Sequence, residues 1–149
     1  MRKFAVDCML GKLARWLRIL GFDTIFDCKL DDAELLALSI KESRILLTQD
    51  RELAAKGGYL VKASNWKEQL KEVIEVFSLR DEVKVFSRCP VCNSTLKEIS
   101  REDARLFVPP IAWAQATEFA ICPNCGKVYW NGSHINKMEK VLEELGLGD

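Results

Sequence analysis

Three aspartates stand where a catalytic metal site can form. Asp7 follows a short predicted strand at residues 3–6, Asp50 comes shortly after the apolar run Ile45–Leu47, which stops at Thr48, and Asp32 lies at the start of a predicted helix. Carboxylates that converge raise each other's pKa unless a cation holds them. Such oxygen ligands suit Mg²⁺ or Mn²⁺, ions that often serve phosphodiester hydrolysis by activating a water and stabilising charge on the phosphate.

Each aspartate also has a simpler interpretation. An Asp that follows a strand often only caps the next helix, and Asp31 with Glu34 fits the capping box D-x-x-E. For Asp7, Asp32 or Asp50 taken alone, capping is the favoured role. Their common position at one predicted sheet edge makes the metal site an equal alternative.

The elements that would position these residues follow from the apolar periodicity. Short apolar runs alternate with helical patterns over residues 3–77, which predicts a parallel sheet covered by helices. The predicted strands are 3–6, 24–26, 45–48 and 59–62, and the predicted helices are 10–20 (stopped by Gly21), 31–42, 50–56 and 64–77 (capped by Ser64). The predicted core of the second helix comprises Leu35, Leu36, Leu38 and Ile40. Ligands of such sheets bind beyond the carboxyl ends of the strands.

A basic pattern occupies the first predicted helix. Lys12, Arg15 and Arg18 recur every three residues, so they spread over an arc of about 120°. A solvated face is the simpler interpretation, but the first turn of this helix borders the proposed acidic pocket. Its side chains can therefore hold an RNA backbone through phosphate contacts. Arg51 is a further candidate.

Four cysteines form two C-P-x-C pairs, which predict a tetrahedral, structural zinc site. Two pairs in one small module disfavour a thioredoxin-like redox pair. The spacer between the pairs, residues 93–121, is longer than the roughly 15–20 residues usual for this spacing. Its Pro109-Pro110 stretch is predicted to be either a packing loop or a surface for RNA. The predicted zinc ligands are Cys89, Cys92, Cys122 and Cys125.

The remaining cysteines, Cys8 and Cys28, are predicted to be buried free thiols, since a free cysteine packs as a small hydrophobic residue. The chain has 149 residues, of which 48% are hydrophobic, and its 22 basic residues balance 22 acidic ones. No apolar stretch approaches the ~20 residues that span a bilayer, and the N-terminus does not resemble a signal peptide. We therefore expect a cytoplasmic protein with no membrane partner.

Two long motifs resemble a known family. D-x-M-L-G-K-L-A-R-W-L-R-x-L-G-x-D, at residues 7–23, and R-I-L-L-T-x-D-R, at residues 44–51, are similar to the ribonuclease family named for the C-terminal domain of the Mut-seven exonuclease. That family resembles PIN-like ribonucleases and carries a C-terminal zinc ribbon. The resemblance implies a PIN-like parallel sheet flanked by helices at residues 1–80 and a zinc-ribbon domain at residues 81–149.

The same resemblance implies a function. It implies metal-dependent hydrolysis of RNA, single-stranded by our expectation, with Asp7, Asp32 and Asp50 binding Mg²⁺ or Mn²⁺. The G-S-H motif that contains His134 is also shared, which suggests a phosphate or base contact there. The alternative is a non-catalytic RNA- or protein-binding module with a degenerate pocket. Ser64 and Asn65 at the position of a fourth acid, and T-Q-D in place of T-R-D, keep that alternative open.

Overall fold

The first part of the chain is built on a parallel sheet. The computed structural model describes residues 1–131 and 140–146, and the chain divides into two compact units, Met1–Asn93 and Ser94–Asp149. The strands of the first unit are β1 (Phe4–Val6), β2 (Thr24–Ile25), β3 (Ile45–Thr48) and β4 (Tyr59–Leu60). All pair in parallel, in the order β2-β1-β3-β4. The predicted α/β class with a helix-flanked parallel sheet is confirmed.

Four helices flank this sheet close to their predicted positions: α1 (Gly11–Ile19), α2 (Asp32–Lys41), α3 (Arg51–Gly57) and α4 (Trp66–Val76). One predicted core residue is wrong, because Ile40 is 70% exposed. In α2 the buried positions are Leu35 and Ser39, and the Ser39 hydroxyl donates to the Leu35 carbonyl oxygen. These two residues are one turn apart, so Ile40, the next residue, is rotated about 100° away from the sheet.

The end of α1 is a left-handed stop, as the sequence predicts. Gly21 has a φ of +96°, and its N–H donates to the carbonyl oxygen of Arg18. The next N–H, that of Phe22, donates to the carbonyl oxygen of Leu17. This pair of bonds is a Schellman motif, which turns the chain into β2.

Cys8 and Cys28 correct a sequence prediction. They are exposed and joined by a disulfide across a Cα–Cα distance of 5.1 Å, whereas the prediction was two buried free thiols. Cys8 lies two residues beyond β1 and Cys28 lies three residues beyond β2. Because β1 and β2 are parallel neighbours, both cysteines leave the sheet at the same edge, within the reach of a disulfide.

The second unit contains a small antiparallel sheet. Its strands are β5 (Lys97–Glu98), β6 (Phe119–Ile121) and β7 (Val128–Trp130), in the order β5-β6-β7. Two short helices, α5 (Arg101–Ala104) and α6 (Pro110–Gln115), lie in the spacer, so the Pro109-Pro110 stretch leads into a helix. The core of this sheet is formed by Ala104, Val108, Ala116 and Phe119, with Trp113 and Trp130 packed against it.

Toward the C-terminus, residues 140–144 are helical, with Leu142 and Leu145 buried. His134, a predicted RNA contact, lies outside the described residues. Among the helices that the structure describes, none is long and apolar enough to cross a bilayer.

Candidate active site

The sheet order creates a crevice at the carboxyl ends of β1 and β3. From β1 the chain passes to β2 on one side, and then to β3 on the other side. Loops that leave two neighbouring strands in opposite directions form a topological switch point, the usual ligand site of an open α/β sheet. Asp7 directly follows β1, and Asp50 lies two residues beyond β3.

A buried threonine links these two aspartates. The Thr48 hydroxyl donates to Asp7 Oδ2 at 2.8 Å and accepts from the Asp50 N–H at 3.0 Å. The other Asp7 oxygen, Oδ1, accepts from the Cys8 N–H at 2.8 Å. Thr48 is fully buried, so its hydroxyl is a fixed bridge. We call Asp7, Thr48 and Asp50 the acidic edge.

Both aspartates of the acidic edge also cap helical turns. Asp7 is the N-cap of the 3-10 turn Cys8–Leu10. Asp50 Oδ1 accepts from the N–H groups of Glu52 and Leu53 at 2.8 and 3.1 Å and caps α3. Asp50 Oδ2 accepts none of the hydrogen bonds found among the described residues. Capping therefore uses only one oxygen of Asp50 and leaves the other available to a ligand.

Asp32 is placed differently. It is the exposed first residue of α2, and the capping is done by its neighbour. The Asp31 side chain accepts from the Glu34 N–H at 2.8 Å, and the Glu34 side chain accepts from the Asp31 N–H at 3.2 Å. The predicted capping box is confirmed. Within the described parts of the chain, Asp7, Asp32 and Asp50 are not gathered into one ligand cluster.

The four cysteines of the two C-P-x-C pairs lie close together. Their sulfur atoms all lie within 4.8 Å of one another. Each pair forms the same turn: the N–H of the second cysteine approaches the sulfur of the first. Asn93 and Gly126, the residues that follow, are both left-handed and donate back to the carbonyl oxygen of the first cysteine. Four thiolates at this spacing suit a structural tetrahedral metal such as zinc, so the cluster fits a small zinc ribbon. Its residues are Cys89, Cys92, Cys122 and Cys125.

A family model for the Mut7-C RNAse domain matches residues 2–142. The chain belongs to the Mut7-C RNase domain family. No curated protein and no solved structure matches it significantly. The family points to a ribonuclease-type hydrolase with RNA as substrate, and it confirms the resemblance seen in the sequence.

In this Mut7-C RNase domain, the predicted basic residues take two different positions. Lys12, Arg15 and Arg51 are exposed and remain available to a phosphate backbone. Arg18 is only 9% exposed. The predicted arc places Arg18 beside the buried Ala14, since the two residues are one turn apart on α1.

The Arg18 guanidinium faces backbone carbonyls instead of solvent. It donates to the carbonyl oxygens of Thr24 at 2.9 Å and of Pro90 and Val91 at 3.1 Å each. Burial lowers the pKa of Arg18. Pro90 and Val91 are the two central residues of the first C-P-x-C turn. The structure therefore gives Arg18 a role in holding that turn, which the spacing of the basic residues does not reveal.

The loop after β4 is the position at which related nucleases would carry a fourth acid. Glu72 of α4 stabilises this loop through hydrogen bonds. Its carboxylate accepts from the Tyr59 hydroxyl at 2.6 Å and from the N–H groups of Lys62 and Ala63. Burial and the Glu72 contact raise the pKa of Tyr59 to about 12. Burial alone would raise the pKa of Glu72, but the hydrogen bonds from Tyr59 and the two N–H groups outweigh it and lower that pKa.

The polar residues around this loop have structural partners. Asn65, and not the predicted Ser64, is the N-cap of α4. Gln49, which replaces the Arg of the T-R-D motif, donates to the Ala63 carbonyl oxygen at 2.8 Å, as Gln69 does at 3.1 Å. Gln49 thus ties the loop after β3 to the loop after β4.

Proposed function

We propose that this Mut7-C RNase domain is a metal-dependent ribonuclease that hydrolyses RNA phosphodiester bonds at the acidic edge. The observation that carries the proposal is the Thr48 bridge. The buried Thr48 hydroxyl is hydrogen-bonded to both the Asp7 carboxylate and the Asp50 backbone N–H. This arrangement lies at the switch point of the sheet, in a chain of an RNase family.

The donor set of the acidic edge fits a hard divalent cation. Mg²⁺ is usually held by one or two carboxylates and keeps several waters, so Asp7 and Asp50 suffice as protein ligands. Asp50 Oδ2 is not used by the helix cap. When bound there, Mg²⁺ or Mn²⁺ supplies Lewis-acid stabilisation of the charge that develops on the phosphate.

The residues of the chain would position the RNA around this site. Asp7 and Asp50 hold the cation, and Thr48 keeps the Asp7 carboxylate in one orientation. Asp32, whose carboxylate is exposed at the start of α2, would be the third catalytic carboxylate. Lys12, Arg15 and Arg51 bind phosphates of a single strand without sequence preference. Arg18 is left out of this set because it is buried and its Nε and Nη1 donate to carbonyl oxygens.

The C-terminal part would grip the RNA rather than cut it. We propose a nuclease domain at residues 1–80 and a zinc-ribbon domain at residues 81–149, whose zinc is structural because four thiolates leave no open coordination position. His134 would contact a phosphate or base from this domain.

A second candidate is a binding module without catalysis. It is favoured by one observation: both aspartates of the acidic edge cap helical turns, and no third carboxylate joins them within the described residues. In that case RNA would bind to the same basic side chains and remain intact.

The two candidates are separated by a cleavage assay with the full chain. Labelled single-stranded RNA and DNA would be incubated with Mg²⁺, Mn²⁺ or EDTA. We expect metal-dependent RNA cleavage that falls by about 10²-fold or more in Asp7→Asn and Asp50→Asn. Asn keeps a side-chain oxygen for each cap, so both variants should stay folded.

Asp81→Asn is the matched control. Asp81 is exposed, and the adjacent Glu82 accepts from the Arg2 N–H, at the amino end of β1 and thus at the opposite edge of the sheet. This variant should cleave like the parent. Cleavage that persists in Asp7→Asn would exclude the acidic edge as the site. RNA that is bound but uncut with every metal would favour the binding module.

A further inference from the structure

Two tryptophans of the first unit stack on each other. Trp16 of α1 and Trp66 of α4 have ring centroids 5.1 Å apart and planes inclined by only 13°. Both are half-buried, so part of the stacked surface remains open to solvent. Parallel stacking at this distance produces a flat, rigid aromatic surface of the kind on which a nucleobase can stack.

Two lysines lie against this surface. Lys12 Nζ and Lys67 Nζ are 5.8 and 5.6 Å from the centroid of the Trp66 ring, within the range of a cation–π contact. Both lysines are exposed. We call Trp16, Trp66, Lys12 and Lys67 the stacking platform.

The stacking platform lies beside the acidic edge. Lys12 is in the first turn of α1, five residues after Asp7. Trp66 is the first residue of α4, which begins after the loop at the carboxyl end of β4, and β4 is the neighbour of β3. A strand that runs along this edge would therefore meet the stacking platform and the acidic edge in succession.

We propose that the stacking platform is a binding subsite for one unpaired base of single-stranded RNA and its phosphate. The inference rests on the proposed function, since it names a subsite for the same substrate. An unpaired base offers an open face to an aromatic ring, whereas a base in a duplex is already stacked on both sides. Lys12 and Lys67 supply the positive charge that a phosphate next to this base requires.

The test measures binding separately from cleavage. The Asp7→Asn Asp50→Asn double variant of the full chain is used as the parent, so that the RNA is not consumed. Anisotropy of a labelled ten-nucleotide oligoadenylate gives the Kd, and a series of oligonucleotides in which one base at a time is missing locates the stacked base. We expect an about tenfold loss of affinity when the base on the stacking platform is removed.

Aromatic variants link that loss to Trp66. Trp66→Leu should weaken binding of the intact oligonucleotide about tenfold and abolish the effect of the missing base. Trp66→Phe keeps a ring and should stay within about threefold of the parent. If Trp66→Leu fails to fold, as judged by its thermal melt, Trp16→Leu takes its place in the same assay, because it removes the other ring of the stacked pair.

The lysines have a matched control on the same helix. Lys67→Gln should lower the salt dependence of log Kd by roughly 0.7, the value of one phosphate contact on a single strand. Lys71→Gln removes an exposed lysine one turn further along α4 and should leave the slope unchanged. Equal slopes for both variants would overturn the phosphate contact.

The proposal would be overturned if every missing-base oligonucleotide bound like the intact one, or if Trp66→Leu bound RNA like the parent. Neither result would affect the cleavage assay, which depends on Asp7 and Asp50. Conversely, the protein could bind single-stranded RNA through the stacking platform and cut no RNA. That result would support this inference and reject the proposed ribonuclease activity.

Discussion

At the residue scale, the buried hydroxyl of Thr48 organises the acidic edge. It is the only side-chain donor that the structure describes on the Asp7 carboxylate, and it also receives the Asp50 N–H. A hydroxyl can donate once and accept at the same time, and no apolar side chain of similar shape can do either. We therefore expect the orientation of Asp7, and with it cation binding, to depend on this group.

Thr48→Val tests this dependence. The substitution leaves the Asp7 oxygen and the Asp50 N–H without their shared partner, which costs about 1–3 kcal/mol of folding free energy. We expect RNA cleavage to fall at least about tenfold, while Thr48→Ser, which keeps the hydroxyl, stays within about threefold. Urea unfolding and cleavage rates measure the two effects. Full activity in Thr48→Val would show that the bridge is dispensable.

The sequence predicted the places of Asp7 and Asp50 relative to the strands better than the contacts around them. The positions of Asp7 and Asp50 follow from strand ends, which apolar runs reveal. Thr48 belongs to the T-x-D motif, but its role depends on the register of β1 against β3, which one sequence does not contain. Arg18 was predicted to contact RNA because spacing alone cannot tell an exposed basic residue from a buried one that donates to carbonyl oxygens.

At the element scale, the end of α1 depends on a residue without a side chain. A Cβ added to Gly21 would lie 2.5 Å from the Lys84 carbonyl oxygen and 2.7 Å from Ser87 Oγ, closer than van der Waals contact allows. The left-handed backbone there adds its own cost for any other residue. The turn from α1 into β2 therefore tolerates no substitution without a shift of the 84–87 segment.

Gly21→Ala should lower the free energy of unfolding by at least about 2 kcal/mol, from the left-handed strain and the overpacking together. Gly126→Ala is the matched control: its φ is +77°, but no atom lies within 4 Å of the added Cβ. We expect this control to cost only about 1 kcal/mol. Denaturant titration of both variants gives the comparison, and equal costs would argue against the overpacking.

Helices and strands with a clear apolar pattern in the sequence were predicted well. Features that depend on contacts between distant residues were not. The strand Ile45–Thr48 was predicted to the residue because the run is apolar on both faces. The helices α5 and α6 have 4 and 6 residues, too short to show a helical repeat. The Cys8–Cys28 disulfide depends on which strands are neighbours, and the sequence predicted the strands without their order.

At the scale of the whole molecule, the four-cysteine cluster joins positions far apart in the chain. Four thiolates within 4.8 Å of one another repel unless a cation holds them. A metal there closes a long loop, and its binding free energy becomes folding free energy. The zinc, by our expectation, is a determinant of stability rather than of chemistry.

Zinc removal should therefore destabilise the protein. We expect one zinc per chain by elemental analysis, and a fall in Tm of more than about 5 °C after chelation. Cys122→Ser should lose the zinc, whereas Cys28→Ser, which breaks only the disulfide, should keep it. A natively purified chain without zinc and with an unchanged Tm after chelation would contradict the assignment.

The first C-P-x-C turn also has a consequence for shorter fragments of the chain. β2 is an edge strand. The backbone N–H and carbonyl oxygen of its Thr24 both form hydrogen bonds with side chains close to this turn. The Thr24 N–H donates to Asn93 Oδ1, and the Thr24 carbonyl oxygen accepts from Arg18, which also donates to the turn. A fragment that stops at residue 80 would leave the Thr24 N–H without its acceptor. The exposed strand could then pair with another chain, so a cut after Asn93 protects the sheet from aggregation where a cut at residue 80 does not.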